Sequence, residues 1–423
     1  MAIIQVVTQD PNFGFIIHKN PASGMQLRSI RQGTSFGWYS KNNTVYNILF
    51  KDADNAVSFG DQEFEYLNTS RYNSPVFVLN AISEYFNSTV KSQSEIDVDG
   101  FEKSFLINAI DLKSLFQLSQ FEKYFPDFEI EYDLYTAKSF KLKISTKKSF
   151  HMLFNYVNLL MLFIVLTKDD EFLQLNDDSI EKYLSSIERL NAPFFIRYLF
   201  SRNMLRNKNQ FEKYKPRLEN TTLYESTKMQ YGDTATQRFR AIKQLVSFDK
   251  PILDIGCGEG FYAIPFSMLL NDEINYYAID IDEKLIQTVR KKADKKNIIN
   301  LKVYNHIDLF LKNYDGDVVD IILTEVIEHM PIYESKELIK KIINTVNFNK
   351  LIITVPNKEF NEFYMIGDDE FRHYDHKWEP TYDEFKNLVL TEIDSQFKTD
   401  FIKIGDTVND ISTSIGCLIT KSV

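Results

Sequence analysis

Two patterns of hydrophobic and polar positions divide the chain. From residue 1 to about 145, short apolar runs alternate with turn residues. IIQVVT, GFIIHKNP, TVYNILF, SPVFVL and FKLKIS all read as β-strands. From about 148 to 207 the apolar positions recur at helical spacing in SFHMLFNYVNLLMLFIVL, DSIEKYLSSIERL and PFFIRYLFSRNML, the second with Asp178 or Ser179 as its N-cap. A polar stretch at about 208–222 reads as a join. From about 223, strands and helices alternate. Amphipathic TATQRFRAIKQLVS precedes the strand PILDIG and the helix EGFYAIPFSMLL. Strand NYYAID, helix EKLIQTVRKKADKK, strands NLKVYNH and VVDIILT, helix SKELIKKIINTV and strand KLIITVPN follow. That βαβ rhythm predicts a doubly wound α/β sheet. The expected organisation is a β-rich α+β region over 1–147, a helical subregion and linker over 148–222, and a Rossmann-like domain over 223–423.

Composition narrows the class. A length of 423 residues calls for two or three domains, and 44% hydrophobic with 26% charged residues is the balance of a soluble globular protein. The 35 Phe and 23 Tyr serve either large cores or an extended partner surface. Two cysteines, Cys257 and Cys417, exclude a disulfide framework and a thiolate zinc site. The run LLMLFIVL at 159–166 is too short to cross a bilayer, and MAIIQVVTQD lacks the basic segment of a signal peptide. A cytoplasmic location is expected. The net charge of −10 argues against broad non-specific binding to nucleic acid. It leaves room for one local basic surface at 201–220, where six Lys/Arg stand against two Glu, although a solvated linker reads equally well.

The segment LDIGCGEGF places Asp254, Gly256, Gly258 and Gly260 at the turn from a strand into a helix, where small residues let the backbone approach a ligand. About 20 residues on, Asp280 ends the next strand, positioned to accept ribose hydroxyls. The G-x-G-x-G spacing departs from the dinucleotide fingerprint G-x-G-x-x-G, and S-adenosylmethionine is preferred to NAD on the following resemblance. This loop resembles that of the S-adenosylmethionine-dependent methyltransferases. The resemblance implies a class I fold and an adenine-side role for Asp308 in HIDLF.

In TEVIEHMP, Glu325, Glu328 and His329 stand at i, i+3 and i+4, one face of a helix if the segment is helical. They follow the carboxyl end of VVDIILT, the edge where open α/β sheets bind ligands. Metal-independent methyltransferases of small molecules carry similar E-x-x-E-H segments. Beyond the next strand, DDEFRHYDHKWEPTYDEF adds His373, Asp375 and His376, two of the six histidines in the chain. Carboxylates and imidazoles without thiolates suit manganese, iron or cobalt better than magnesium.

The segments EVIEHM, VPNKEFN and FRHYDHKWEPTYDEF resemble motifs of the small-RNA 3′-terminal ribose 2′-O-methyltransferases of plants, animals and bacteria. That resemblance implies Glu325, Glu328, His329 and His376 as ligands of one divalent ion and as the catalytic group, with His329 or His376 also a possible proton acceptor. Two departures stand out: Trp378 replaces the usual Phe, and EPTYDEF replaces E-W-T-R-x-E-F. GFIIHKNP (14–21), NTSRYNSPVFVLNAI (68–82) and NAPFFIRYLFSRNML (191–205) are similar to the N-terminal region of the bacterial branch, which works in RNA repair. The implied partners are cleaved, tRNA-like RNA with a free 2′,3′-diol end and a polynucleotide kinase-phosphatase-ligase enzyme, in a hetero-oligomer with no membrane. The rival readings are a metal-independent small-molecule methyltransferase and an assembly subunit that chiefly activates its partner.

Overall fold

A computed structural model describes residues 2–30, 33–51, 57–58, 66–67, 73–112, 115–136, 139–167, 177–367, 370–393 and 396–421. Contacts divide the chain into two units, Met1–Leu223 and Tyr224–Val423.

The first unit is built on an antiparallel sheet of seven strands: β1 (Ala2–Thr8), β2 (Gln26–Ile30), β3 (Gly33–Ser40), β4 (Val45–Lys51), β7 (Lys103–Ile110), β8 (Glu129–Thr136) and β9 (Ser139–Thr146). Their order is β2-β3-β4-β1-β7-β9-β8; the short pair β5 (Val57–Ser58) and β6 (Tyr66–Leu67) stands apart from it. The helices are α1 (Phe13–Ile16), α2 (Pro75–Lys91), α3 (Phe116–Tyr124), α4 (Phe150–Leu166), α5 (Asp177–Arg189), α6 (Phe194–Met204) and α7 (Lys208–Glu219). Helix α4 is apolar on nearly every side because it lies inside the unit. Its Phe154 stacks on Phe86 of α2 at 4.4 Å and meets Phe105 of β7 edge-on at 6.3 Å. Many of the abundant aromatic residues therefore fill this core. No described helix is long and apolar enough to cross a membrane.

Four local expectations fail here. SPVFVL is the first turn of α2, not a strand: Ser74 caps it, accepting from Val76 N at 3.2 Å, and Pro75 at the first position fixes a helical φ. GFIIHKNP forms the one-turn helix α1 and a 3-10 turn at Pro21–Ser23, with His18 at φ +56° between them. The polar join is helix α7. Its Phe211, Tyr214 and Leu218 are buried at i, i+3 and i+7, an apolar stripe hidden among the charges. Helix α5 starts at Asp177, so Asp178 and Ser179 lie inside its first turn. Residues 68–72 of the 68–82 motif lie outside the described residues.

Part of the basic stretch is paired within the unit: Lys215 lies 3.7 Å from Glu219. Arg217 pairs with Glu188 and Glu181, both at 2.6 Å.

The second unit contains β10 (Thr227–Lys228), α8 (Thr234–Leu245), β11 (Ile252–Ile255), α9 (Ala263–Ser267), β12 (Tyr276–Ile279), α10 (Glu283–Lys295), β13 (Leu301–Tyr304), α11 (Ile307–Asn313), β14 (Val319–Thr324), α12 (Ile332–Thr345), β15 (Phe348–Pro356), α13 (Tyr382–Glu392), β16 (Phe397–Val408) and β17 (Ile411–Lys421). Sheet order is β10-β16-β17-β15-β14-β11-β12-β13. The run from β15 to β13 is parallel, and its order reverses between β14 and β11, the switch point where such sheets bind ligands. The Rossmann-like expectation holds. The antiparallel hairpin β16–β17, which extends the sheet beyond β15, has no counterpart in the sequence reading. Helix α9 is also shorter than EGFYAIPFSMLL predicts.

Arg197 is a buried clasp of the first unit. Its guanidinium donates to the carbonyls of Ala192, Leu218 and Asn220 at 2.6–3.1 Å. Replacing it with Met strands those carbonyls. R197M should lower stability by about 2–4 kcal/mol, read as a lower urea midpoint for the first unit.

Candidate active site

The cofactor loop leaves the carboxyl end of β11. All three of its glycines have positive φ: Gly256 at 78°, Gly258 at 53° and Gly260 at 84°. At Gly256 a Cβ would overlap the Val326 side chain, so the first glycine is where two loops touch. Gly258 faces open space, and its N–H donates to Asp280 Oδ2 at 2.8 Å. This bare backbone beside a carboxylate fits the amino-acid and ribose parts of S-adenosylmethionine.

Two other expected cofactor residues have partners within the protein. Asp254 is buried and accepts from the Tyr276 hydroxyl at 2.9 Å. Asp308 lies in the first turn of α11, paired with Lys341 at 2.5 Å and facing His306.

After β14 the chain does not form the helix that would align Glu325, Glu328 and His329. Glu325 takes a left-handed φ of 54°, and Ile327–His329 is a single 3-10 turn. A left-handed residue followed by one 3-10 turn breaks the i, i+3, i+4 register. Glu328 is consequently driven inward and Glu325 sideways. Glu325 Oε2 lies 3.0 Å from the Arg238 guanidinium of α8, and Oε1 accepts from the Thr354 hydroxyl at 3.0 Å. Sequence reasoning missed Arg238, for which the amphipathic pattern of α8 gave no signal.

The loop carrying His373, Asp375 and His376 is stitched to this turn. Lys377 N donates to the Glu328 carbonyl at 2.8 Å. The Trp378 indole N–H donates to the Ile327 and Met330 carbonyls at 3.1 and 3.0 Å, bonds that the usual Phe has no group to make. In the divergent EPTYDEF, Thr381 and Glu384 form a capping box on α13.

Ligating atoms of Glu328, His329 and His376 come within 4.8 Å of one another; a second such set is His373, Asp375 and His376. Glu325 belongs to neither. Both Glu328 carboxylate oxygens are buried and accept no hydrogen bond among the described residues. Burial, and then the charge of Glu325, push the Glu328 carboxyl well above its ordinary range. Burial also holds His329 below its usual value, favouring the neutral ring that binds metals. An orphaned carboxylate facing two imidazoles fits a divalent cation, which would supply the missing partner. Beneath the histidines, Glu379 accepts from His376 Nδ1 at 2.5 Å, and Asp375 lies 3.2 Å from His329 Nδ1. Glu379 was visible only as the last letter of DHKWE.

Residues 3–223, just over half of the chain, match the Hen1 N-terminal domain, and residues 247–400 match a methyltransferase domain. A small RNA 2′-O-methyltransferase of Caenorhabditis elegans is 29% identical over 158 residues, covering 34% of this chain and 36% of that protein. A ribosomal protein L11 methyltransferase of Thermoanaerobacter pseudethanolicus is 32% identical over 108 residues, 26% of this chain and 33% of the relative. The chain thus spans about a third of the length of the curated relatives it matches. A chain of the Pnkp1/Rnl/Hen1 RNA repair complex has the same fold, with a TM-score of 0.81 at 24% identity over 99% of this chain and all of that one.

Burial pushes the Asp254 carboxyl up to about 7. With an unfolded value of about 4, it binds more protons folded than unfolded between those limits, so its contribution to stability falls as pH rises from about 4 to about 7. In denaturant unfolding, the stability of D254N relative to the parent should grow across that window and level off above it. An equal difference at both ends of the window would exclude the assignment.

Proposed function

Because the chain belongs to the Hen1 N-terminal domain family, we propose that it methylates the 2′-oxygen of the 3′-terminal ribose of cleaved RNA, using S-adenosylmethionine and a divalent ion. The observation that carries this reading is the bare, buried Glu328 carboxylate beside His329 and His376. It stands on the loop whose Val326 abuts the first cofactor glycine. Methyl transfer from a sulfonium is an in-line displacement, so the protein's main task is alignment. Gly256, Gly258 and Asp280 hold the donor; Glu328, His329 and His376 define the acceptor end. Glu325 joins them only by releasing Arg238 or sharing it.

A divalent cation held there acts as a Lewis acid, lowering the pKa of a ribose hydroxyl that is otherwise a poor nucleophile. Two imidazole donors favour manganese over magnesium. A free 2′,3′-diol would suit a site formed by Glu328, His329 and His376, since the terminal ribose keeps both hydroxyls. His329 and His376 can each use Nε2 as a ligand or as a proton acceptor, not as both at once.

We further propose that residues 1–223 dock a kinase-phosphatase-ligase partner in the cytoplasm, as the Hen1 chain of the repair complex assembles with Pnkp1 and Rnl.

The test is incorporation of labelled methyl into RNA with a 2′,3′-diol end, with and without manganese. E328A should lose at least a hundredfold in transfer while binding S-adenosylmethionine within about twofold of the parent. Undiminished transfer in the presence of a chelator would favour the metal-independent reading. Loss of donor binding in E328A would count against the assigned role.

A further inference from the structure

Each imidazole of the candidate ion site is gripped from behind by a carboxylate. Glu379 takes His376 at Nδ1, and Asp375 takes His329 at Nδ1. A carboxylate accepts and does not donate, so the Glu379 hydrogen bond fixes the Nδ1–H tautomer of His376, and Asp375, 3.2 Å from His329 Nδ1, favours the same tautomer there, leaving each Nε2 lone pair available. The two rings stand with centroids 4.8 Å apart, nearly perpendicular at 82°. On the reading above, we propose that Glu379 and Asp375 are positioning residues that orient His376 and His329 so that both Nε2 atoms converge with Glu328 on one divalent ion. His373 then serves as the outer partner of Asp375, not as a ligand of a second ion.

The two grips differ in strength. Glu379 has a fully buried side chain. Its Oε2 accepts from Asn361 Nδ2 at 2.6 Å, and its Oε1 also accepts from the Arg372 backbone N–H at 2.8 Å. Asn361 Oδ1 in turn accepts from Arg372 Nε at 2.6 Å, and the Arg372 guanidinium donates to the carbonyls of Asn357 and Thr413. A chain of hydrogen bonds thus ties His376 to the carboxyl end of β15 and the start of β17. Asp375 is 43% exposed at its side chain and shares its other oxygen with His373 Nδ1. Solvent competes for it, so His329 is held more loosely. The two acidic residues of this loop are therefore expected to have unequal effects.

Outer-shell carboxylates of this kind are worth roughly 10–100-fold in metal affinity. The experiment measures binding of manganese and cobalt to the full chain by calorimetry, with the visible spectrum of the cobalt form reporting the coordination geometry. Binding of S-adenosylmethionine and the thermal transition are followed in parallel. E379A should weaken metal binding by about 10–100-fold and change the cobalt spectrum, with donor affinity kept. E379Q retains an acceptor for Nδ1–H and should recover most of the spectrum with a smaller loss of affinity. D375A should lose less than E379A, and H373A should leave affinity and stoichiometry within about twofold.

Metal affinity and spectrum unchanged in folded E379A would overturn the proposal, as would a second ion lost in H373A. A parallel fall of metal and donor affinity in both Glu379 variants would do so too, marking a merely structural role. Should the parent chain bind neither ion, the ion-site reading itself fails, an outcome separate from all of these.

Discussion

A carboxylate buried without a hydrogen bond is expensive, and Glu328 is such a group. Its position follows from the sheet. Strand β14 is buried along its whole length, and just past its carboxyl end Ile327 and Glu328 stay buried while His329 reaches the surface. The turn is tight, and Ile327 is fully buried on the same side. Burial holds the Glu328 carboxyl well above its ordinary range, and Arg238, a cation that could offset its charge, is paired with Glu325. A divalent cation shared with His329 and His376, as proposed above, would give the ionised carboxylate its missing partner. The orphaned carboxylate is the feature from which the chemistry of the site follows.

Donor and acceptor ends are mechanically linked. Gly256 exists as glycine because Val326 occupies the space its side chain would need. A shift of the Glu325–His329 turn therefore displaces the loop expected to hold the methyl donor. In-line transfer tolerates little misplacement, and direct packing of one loop on the other is a short route to that precision. Trp378 supplies the third side of the arrangement, bonding two carbonyls of the turn and drawing the histidine loop over it.

Part of this was legible in the residues. The period-3.6 and buried-strand patterns of the C-terminal half identified its alternating sheet, because parallel strands covered on both faces leave continuous apolar runs. The glycine spacing separated one nucleotide fold from another. The N-terminal half read less well for identifiable reasons. The β-branched run of SPVFVL hid a helix whose Ser-Pro cap outweighed local propensity, and the charges of 208–222 hid the stripe Phe211, Tyr214, Leu218. The hairpin β16–β17 was missed although β15 pairs with β17 along seven positions.

The sequence by itself determined which donor atoms are present: carboxylates and imidazoles without thiolates, on loops after two strands of a doubly wound sheet. It could not determine which of them converge. Convergence depends on contacts between residues about 50 positions apart, such as Trp378 with Ile327 and Lys377 with Glu328. It also depends on a left-handed backbone at Glu325 that cancels the helical register suggested by spacing. Tertiary structure alone separated Glu328, His329 and His376 from Glu325, since only the folded chain brings Arg238 and Thr354 against that carboxylate.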